Sequence, residues 1–399
     1  MNQAWPTKRL ADVCQILGGA TPSKKNPKFY GGDIPWATVG DMNVEVITTT
    51  EEYITKAAVA DCSTNVIPSG SIVMATRVGL GKVCVLGQDT AINQDLKGLT
   101  PKNPKELTNR WLYWWLKSMA SDIQKAGTGA TVQGVKMTFV QELEIPLPPL
   151  AEQKRIVALL DEAFAGIDEA KVKTEDCASK VNKFHGEVVR SKFEELSRGK
   201  ETFALGDICE FVRGPFGGSL KKSIFVPEGY AVYEQQHAIY DQFNEIRYFV
   251  SASKFREMKR FELAPGDLIM SCSGTMGRVA IVPDKIMPGI INQALLKLTP
   301  GKKIQAMFLK CWMESESFQD ALKKYAGGAA IQNVASVKIL KGITIPLPSL
   351  TEQIHLIETI NSLQKEVREA AQVFEKKTDA LNELKKSLLS QAFAGELAA

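Results

Sequence analysis

The sequence predicts an α+β fold in which two mixed α/β modules are separated by two long helices that pair as an antiparallel coiled coil. Three observations predict it: an internal repeat, a heptad pattern at the end of each copy, and short apolar runs bounded by Pro and Gly elsewhere. The predicted segments are a first module (1–150), a central helix (151–198), a second module (199–350) and a C-terminal helix (351–399).

The internal repeat is the strongest of these signals. Ile-Pro-Leu-Pro-Pro-Leu-Ala-Glu-Gln at 145–153 returns as Ile-Pro-Leu-Pro-Ser-Leu-Thr-Glu-Gln at 345–353, a shift of 200 residues. Ile-Asn-Gln at 92–94 likewise returns at 291–293, and further anchors keep the same order with shifts of 195 to 200. Because the order is kept throughout, the two halves are predicted to share one architecture, related by a pseudo-two-fold repeat.

Each copy ends in a heptad pattern. Apolar residues spaced alternately by four and three positions follow both Pro-rich segments, and this spacing predicts a coiled-coil seam. The seam begins with Ile156, Leu160, Ala163, Ile167, Leu356, Ile360, Leu363 and Val367. The same spacing carries the seam through Cys177 and Phe184 in the first helix, and through Lys377 and Leu384 in the second.

The limits of both helices are marked in the sequence. Prolines exclude helix upstream of each start, Thr351 is a candidate cap of the second helix, and Gly199 and Gly395 follow the predicted ends. Each helix is then roughly 40 residues, or about 60 Å long. Two such helices in one chain can pair with each other or act as a dimerisation device, and the pattern alone leaves both open.

Composition and charge narrow the class of protein. No apolar run approaches the length of a membrane span, and the first residues lack a secretory signal. Seven scattered Cys and three distant His predict no metal site and reduced thiols in the cytoplasm. The net charge of +4 divides unevenly, since the modules carry +7 and the helices −3. This bias permits nucleic-acid binding without requiring it.

Two pairs of matched loops carry the polar candidates. The loops 21–28 and 213–222 combine Gly and Pro with clustered cations, which suits phosphate contact. The loops 76–82 and 272–278 match in position but differ in side chains, as two readers of different base sequences require. The DNA-binding candidates are Lys24, Lys25, Lys28, Thr76, Arg77, Lys82, Gln133, Arg213, Ser219, Lys221, Lys222, Gln235, Gln236, Ser273, Thr275 and Arg278. Any one of them is also consistent with an ordinary solvated turn.

Other recurring residues and missing motifs complete the prediction. Asn93-Gln94 and Asn292-Gln293 occur in both copies, so a shared structural role is favoured over base reading. The sequence has no Gly-x-x-x-x-Gly-Lys-Ser/Thr loop and no Asp/Asn-Pro-Pro-Tyr/Phe tetrapeptide, and Pro283-Asp284 lacks the following Asp/Glu-x-Lys of a nuclease site. No catalytic residue is therefore predicted. A coiled-coil scaffold without DNA binding and a self-contained DNA-modifying enzyme are the alternatives.

Taken together, these features resemble the specificity subunit of Type I DNA restriction–modification systems. The residues that carry the resemblance are the Pro-rich segment at 145–156, its copy at 345–356, and Leu-Leu-Ser-Gln-Ala-Phe-Ala-Gly-Glu-Leu at 388–397. The resemblance covers the whole chain in the family's order, although 183–198 matches 383–398 poorly. It implies two target-recognition domains, each reading one half of a bipartite DNA site, and paired helices that set the gap between the half-sites.

The resemblance also implies the partners of the chain. These are double-stranded DNA, two methylation subunits that carry S-adenosylmethionine and modify adenine, and two restriction (motor-nuclease) subunits that use ATP and Mg. The chain itself then binds no cofactor and is not an enzyme. The helix faces outside the seam are the expected docking surface for the methylation subunits.

Overall fold

The computed structural model describes residues 5–128, 134–325 and 336–397. The chain divides into two compact units: unit 1 is Met1–Asp176 with Phe374–Ala399, and unit 2 is Cys177–Val373. Each unit thus takes one predicted module together with part of each long helix. The four-segment division drawn from the sequence stays a prediction.

The described part of unit 1 contains two main sheets, a two-stranded ribbon and six helices that begin within it. Its strands are β1 (Thr7–Arg9), β2 (Cys14–Gly18), β3 (Tyr30–Ala37), β4 (Val46–Ile47), β5 (Glu52–Ile54), β6 (Val66–Ile67), β7 (Ile72–Ala75), β8 (Val83–Leu86), β9 (Thr90–Ile92), β10 (Leu96–Pro101) and β11 (Glu144–Pro146). Its helices are α1 (Leu10–Val13), α2 (Lys56–Asp61), α3 (Asn109–Ser118), α4 (Ala120–Lys125), α5 (Met137–Glu142) and the first part of α6 (Leu150–Ser197). The sheet orders are β2-β10-β7-β8-β4 and β5-β3-β9-β6, and β1 pairs with β11.

Unit 2 has the same kinds of element. Its strands are β12 (Thr202–Ala204), β13 (Cys209–Arg213), β14 (Phe225–Val226), β15 (Tyr230–Tyr233), β16 (Phe249–Val250), β17 (Leu268–Ser271), β18 (Val279–Ile281), β19 (Gly289–Ile291), β20 (Leu295–Pro300) and β21 (Thr344–Pro346). Its helices are α7 (Leu205–Ile208), α8 (Gln235–Tyr240), α9 (Ala252–Glu257), α10 (Ala306–Glu314), α11 (Glu316–Tyr325), α12 (Val337–Gly342) and the first part of α13 (Leu350–Phe393). The sheet orders are β13-β20-β17-β18 and β14-β16-β15-β19, and β12 pairs with β21.

The two units repeat one topology. The order β13-β20-β17-β18 matches β2-β10-β7-β8, and the parallel pair β15–β19 matches the parallel pair β3–β9. The matched apolar runs of the two copies form β7 and β17, and α3 of unit 1 has α10 as its counterpart in unit 2. The predicted α+β fold with an internal repeat is confirmed.

Helix α3 fills the core of unit 1. Thr108 caps it, because its Oγ1 accepts a hydrogen bond of 3.2 Å from the Trp111 amide. All residues from Trp111 to Leu116 are buried, so the helix packs on more than one face. The Trp111 indole donates to the Pro146 carbonyl at 2.8 Å, and its ring lies 4.7 Å from the Phe393 ring. The sheet, the Pro-rich segment and the end of α13 therefore meet at one helix.

A buried glutamine ties the start of α6 to the residues before α3. The Gln153 side chain is fully buried, and its Oε1 accepts from the Thr108 amide at 3.1 Å. Its Nε2 donates to the carbonyls of Glu106, at 2.7 Å, and Pro148, at 3.0 Å. One side chain thus satisfies three backbone groups that would otherwise be buried without partners.

The second copy of this motif makes the same contacts in unit 2. The Oε1 of Gln353 accepts from the Gln305 amide at 2.8 Å, at the start of α10. Its Nε2 donates to the carbonyls of Lys303, at 3.0 Å, and Pro348, at 2.9 Å. The repeated sequence motif is therefore a repeated joint between a module and its long helix.

The predicted cap of α13 is wrong. The helix begins at Leu350, one residue earlier than Thr351, which lies exposed in the first turn. Ser349 is the cap: its Oγ accepts from the Glu352 amide at 3.4 Å, and the Glu352 carboxylate accepts from the Ser349 amide at 2.9 Å. Hydrogen bonds from Lys200 and from Ser349 lower the pKa of Glu352 to about 2.

Within unit 1 the beginning of α6 and the end of α13 run antiparallel. Lys385 Nζ lies 2.5 Å from Asp168 Oδ1, and Lys171 Nζ lies 2.5 Å from Asn382 Oδ1. Residue numbers therefore rise along one helix as they fall along the other, which is the predicted antiparallel pairing. The early seam positions are buried or half-buried: Ile156, Leu160, Ile167, Leu356 and Ile360 are buried, and Ala163, Leu363 and Val367 are half-buried.

Four of the later seam positions predicted by strict heptads are wrong, whereas positions 174, 181, 188, 374, 381 and 388 of the same pattern lie on the inward side. Cys177 and Lys377 are exposed, while Phe184 is 62% and Leu384 45% exposed. The inward side instead follows positions 174, 178, 181, 185 and 188 in α6, and positions 374, 378, 381, 385 and 388 in α13. Each helix therefore contains one extra step of four residues, a stutter that shifts the seam by one residue.

We expect Gln153→Ala to lower the free energy of unfolding by about 3 kcal/mol, because an amide and two carbonyls lose their buried partner. Urea denaturation followed by tryptophan fluorescence measures this. Lys154→Ala is the control, since Lys154 is exposed on the same turn; it should change stability by less than about 0.5 kcal/mol. Equal effects of the two substitutions would contradict the joint described here.

The stutter predicts different costs for two phenylalanines of α6. Phe193 is 7% exposed with its ring 5.5 Å from the Phe308 ring, so Phe193→Ala should cost about 3–5 kcal/mol. Phe184→Ala should cost less than about 0.5 kcal/mol, because its ring is already in water. The same denaturation measurement compares them, and a large loss of stability for Phe184→Ala would restore the strict heptad.

Candidate nucleic-acid interface

The first lysine loop of unit 1 joins β2 to β3. Lys24, Lys25 and Lys28 are exposed along it. The Asn26 side chain accepts from the Lys28 amide at 3.3 Å and caps a single 3-10 turn there. The ammonium groups therefore project into water from an ordered turn, an arrangement suited to phosphate contact.

The three candidate contact residues in the turn after β7 differ in their exposure to solvent. Thr76 is 3% exposed and its hydroxyl donates to the Asp95 carbonyl at 3.2 Å, so Thr76 is wrong as a candidate for direct contact. Arg77 is exposed, with a guanidinium nitrogen 3.4 Å from Asp95 Oδ1. Lys82 is half-buried and donates to Asn43 Oδ1 at 2.7 Å. Arg77 is therefore the exposed cation of this turn, and its guanidinium is paired only with Asp95 among the contacts described.

Gln94, for which the sequence predicts only a structural role, connects these two loops. The Thr21 hydroxyl, at the start of the lysine loop, donates to the Gln94 side chain. Gln94 Nε2 in turn lies 3.4 Å from the Asp95 carboxylate that pairs with Arg77. Gln94 therefore belongs to the candidate interface of unit 1. The sequence offered no signal for this, because Gln94 recurs in the other copy as Gln293.

Gln133 lies outside the described residues. The chain on either side of it is anchored by paired amides of Thr128 and Gly134, each donating to the other's carbonyl at 3.0 Å. A Cβ on Gly134 would lie 3.2 Å from Arg77 Cγ, so Gly134 packs directly on Arg77. The glycine-rich segment thus starts and ends beside the Arg77 turn.

The candidates of unit 2 converge at a different cluster. Ser273 donates to Gln235 Oε1 at 3.0 Å, and Gln235 Nε2 lies 3.5 Å from the Thr275 carbonyl. Thr275 and Arg278 are exposed. Gln236, by contrast, donates to the Glu245 carbonyl at 3.3 Å and does not join the cluster. Residues 38 positions apart are thus brought together by α8 and the turn after β17.

The first loop of unit 2 lies beside this cluster. Arg213 is half-buried at the end of β13, and its charge limits the rise in the pKa of Cys272 that burial causes, next to Ser273. Ser219 is exposed and donates to the Phe216 carbonyl at 3.0 Å. The other two cations of this loop are Lys221 and Lys222, which are both exposed.

The recurring asparagines have the structural role predicted for them. Asn93 Oδ1 accepts from the Asp95 amide at 3.1 Å, and Asn292 Oδ1 accepts from the Ala294 amide at 3.0 Å. A glycine of the preceding loop packs directly against the backbone of each turn. A Cβ on Gly19 would lie 2.0 Å from the Ile92 carbonyl oxygen, and one on Gly214 would lie 1.8 Å from the Asn292 carbonyl oxygen. Both interfaces therefore stand on one shared backbone arrangement.

Burial suppresses the nucleophilic chemistry that cysteines could offer. It raises the pKa of Cys14 to about 12 and the pKa values of Cys209 and Cys272 to about 11, which disfavours the reactive thiolate. Among the residues that the structure describes, no group of His, Cys, Asp and Glu is arranged to hold a metal ion. None of the described helices is both long and apolar enough to cross a membrane.

Fold and interface together define a class of protein: two copies of one α/β module, each locked to a long helix, each presenting a different polar surface. The family described as Type I restriction modification DNA specificity domain matches residues 2–175 and 197–389. The chain belongs to this family, and the resemblance drawn from the sequence is confirmed.

Curated relatives carry the same description. The Type I restriction enzyme MjaIX specificity subunit of Methanocaldococcus jannaschii is 30% identical over 230 residues, covering 53% of this chain and 52% of the relative. The EcoR124I/EcoR124II specificity subunit of Escherichia coli is 34% identical over 161 residues, 39% of each chain. This chain therefore spans about half, or less, of the length of these relatives. The MjaVIII specificity subunit is 23% identical over 98% of this chain and 93% of its own length.

Two solved structures share the fold. A chain from work on complex assembly and conformational transition of the type I R-M system has a TM-score of 0.76 at 20% identity, covering 99% of this chain and 98% of the other. The HsdS subunit from Thermoanaerobacter tengcongensis has a TM-score of 0.61 at 19% identity, covering 100% and 98%. At these identities the likeness establishes the fold alone.

Proposed function

We propose that this chain is the DNA-specificity subunit of a Type I restriction–modification complex. In this role it binds a bipartite, asymmetric DNA site and directs adenine methylation and restriction by partner subunits. The observation that carries the proposal is that one backbone arrangement, present twice, offers different side chains at matching positions. Arg77 in unit 1 corresponds to Ser273 in unit 2, and Lys82 corresponds to Arg278.

The chemistry of these positions suits different bases. An arginine such as Arg77 can pair with the O6 and N7 atoms of guanine in the major groove. A hydroxyl and an amide held together, as in Ser273 and Gln235, can donate and accept at an adenine edge. Exposed lysines beside each cluster can contact phosphate and fix the register without reading sequence. Two unlike half-sites follow from two unlike clusters.

The chemical steps are assigned to partners. Two methylation subunits, with S-adenosylmethionine, would modify adenine, and two restriction subunits, with ATP and Mg, would translocate and cleave DNA. The outward faces of α6 and α13 are the proposed docking surface for the methylation subunits, and the cytoplasm is the proposed location. A coiled-coil scaffold without DNA binding is the alternative function, which leaves both polar clusters without a use.

The test is a methylation map. Co-expression with the methylation subunit of the same operon, followed by long-read sequencing, should reveal methylated adenines within two different short half-sites separated by a few unspecified base pairs. Exchange of residues 21–140 for the same segment of another family member should change one half-site and leave the other intact. A continuous or palindromic motif, a change in both half-sites, or no motif at all would contradict the proposal.

The lysine loop of unit 1 should determine part of the salt dependence. We expect the combined change of Lys24, Lys25 and Lys28 to Gln to flatten the plot of log binding constant against log salt, by about 0.9 for each phosphate that is no longer neutralised. The methylation map should keep the same motif, since phosphate contacts carry no base information. Affinity is measured by fluorescence anisotropy on one DNA duplex at several salt concentrations.

A charge-matched control separates local contact from net charge. The combined change of Lys154, Lys376 and Lys377 to Gln removes three exposed cations from the long helices. If this control flattens the plot as much as the loop variant does, the lysine loop does not contact DNA.

A further inference from the structure

Phe216 is an aromatic side chain held out in water on the first loop of unit 2. It is 77% exposed, and glycines at 214, 217 and 218 surround it in the sequence. The equivalent first loop of unit 1 carries its lysines and a threonine instead. Single exposed apolar side chains are common at protein surfaces, so the case for a contact outside the chain rests on the position of this ring within a proposed DNA interface.

The position of Phe216 in unit 2 is occupied by a polar residue, Thr21, in unit 1. Gly19 and Gly214 make the same close approach to a backbone carbonyl, so Thr21 and Phe216, each two residues later, are equivalent. The hydroxyl of Thr21 is bonded to Gln94 within unit 1. Phe216 has no polar side-chain atom to bond and is mostly exposed, so the same backbone position carries an internal contact in one copy and a projecting ring in the other.

The base of the Phe216 loop is fixed on both sides. A Cβ on Gly214 would lie 1.8 Å from the Asn292 carbonyl oxygen, so the backbone is packed directly on the shared asparagine turn. After the ring, the Ser219 hydroxyl donates to the Phe216 carbonyl at 3.0 Å. The ring therefore projects from a supported turn.

The surroundings of Phe216 are those of a DNA-contacting side chain. Arg213 lies three residues before it, and the exposed Lys221 and Lys222 follow it. Arg213 and Met270 pair with Leu296 from opposite sides of β20, so Arg213 lies near the turn after β17, whose Ser273 belongs to the proposed reading cluster with Gln235. The loop thus joins a projecting apolar ring, flanking cations and the proposed base-reading side chains.

We propose that Phe216 inserts between two adjacent base pairs of the half-site bound by unit 2. This inference rests on the proposed function and adds a second mode of recognition to it. Apolar side chains that enter a base step unstack it and kink the duplex by roughly 20–90°. Pyrimidine–purine steps deform most easily, so the wedge selects such a step without any hydrogen bond to it. Unit 1, with Thr21 at the matching position, reads its half-site without a wedge.

The test uses the complete methylation complex and its mapped DNA site. The adenine analogue 2-aminopurine, placed at successive positions of both half-sites, reports unstacking by increased fluorescence. The target adenine of each half-site brightens in any case, because a methyltransferase flips its base out of the stack. Beyond those two positions, we expect one step of the unit 2 half-site to brighten on binding, and no step of the unit 1 half-site. Phe216→Ala should abolish this brightening and weaken binding about 5- to 150-fold, as removal of aromatic stacking on a base does. Phe216→Leu should retain part of both effects.

Controls keep this result separate from folding, assembly and the proposed function. Tyr240→Ala removes another exposed ring of unit 2, 73% exposed at the end of α8 and outside the long helices, and should leave brightening and affinity unchanged. If Phe216→Ala binds with unchanged affinity and brightening, the wedge is wrong while the proposed function stands. If Phe216→Ala instead prevents assembly with the methylation subunits, seen by native mass spectrometry, the ring binds a partner protein and the inference is overturned. If the unaltered complex shows no preferred DNA site, the proposed function itself fails.

Discussion

The rest of the architecture depends on one buried amide at the start of each long helix. Gln153 holds the amide of Thr108 and the carbonyls of Glu106 and Pro148, and Gln353 holds the same three kinds of group in unit 2. A buried amide with three backbone partners tolerates little displacement, because each broken hydrogen bond leaves a polar group without water. The direction in which each helix leaves its module is thereby fixed, twice, by one short motif.

The repeat constrains the backbone more strongly than the side chains around this joint. In unit 1 the groove between α3 and the long helices has a volume of about 410 Å³ and is lined by Arg110, whose guanidinium nitrogens lie 2.7 and 2.9 Å from Asp161 Oδ1. The Trp114 indole donates to the same atom at 2.7 Å. The equivalent positions in unit 2 include Asn361 and Cys311, and the groove there has about 1020 Å³. Identical topology therefore leaves room for different local chemistry.

The sequence predicts the fold correctly wherever a local pattern of residues determines the local structure. Prolines, matched anchors and the first heptads encode element limits and pairing, so the fold followed from them. The prediction failed where the outcome depends on a neighbour distant in sequence. Thr76 looked like a loop residue, but it turns inward to the carbonyl of Asp95. Phe184 and Leu384 kept heptad spacing, but the four-residue step before them rotates both to the surface. Gln94 became an interface residue only through contact with Thr21.

The same division explains how two copies of one scaffold can diverge in the base sequences that we propose they read. The asparagine turns of both interfaces bond to their own backbone, through Asn93 to Asp95 and Asn292 to Ala294. Exchange of the exposed side chains beside them therefore leaves the hydrogen bonds of the fold intact, and surface changes of this kind alter stability little. A threonine in one copy and a projecting phenylalanine in the other are compatible with one scaffold for that reason. Recognition is then free to vary at the loops, while the buried glutamine of each joint, on which the helices depend, has to stay.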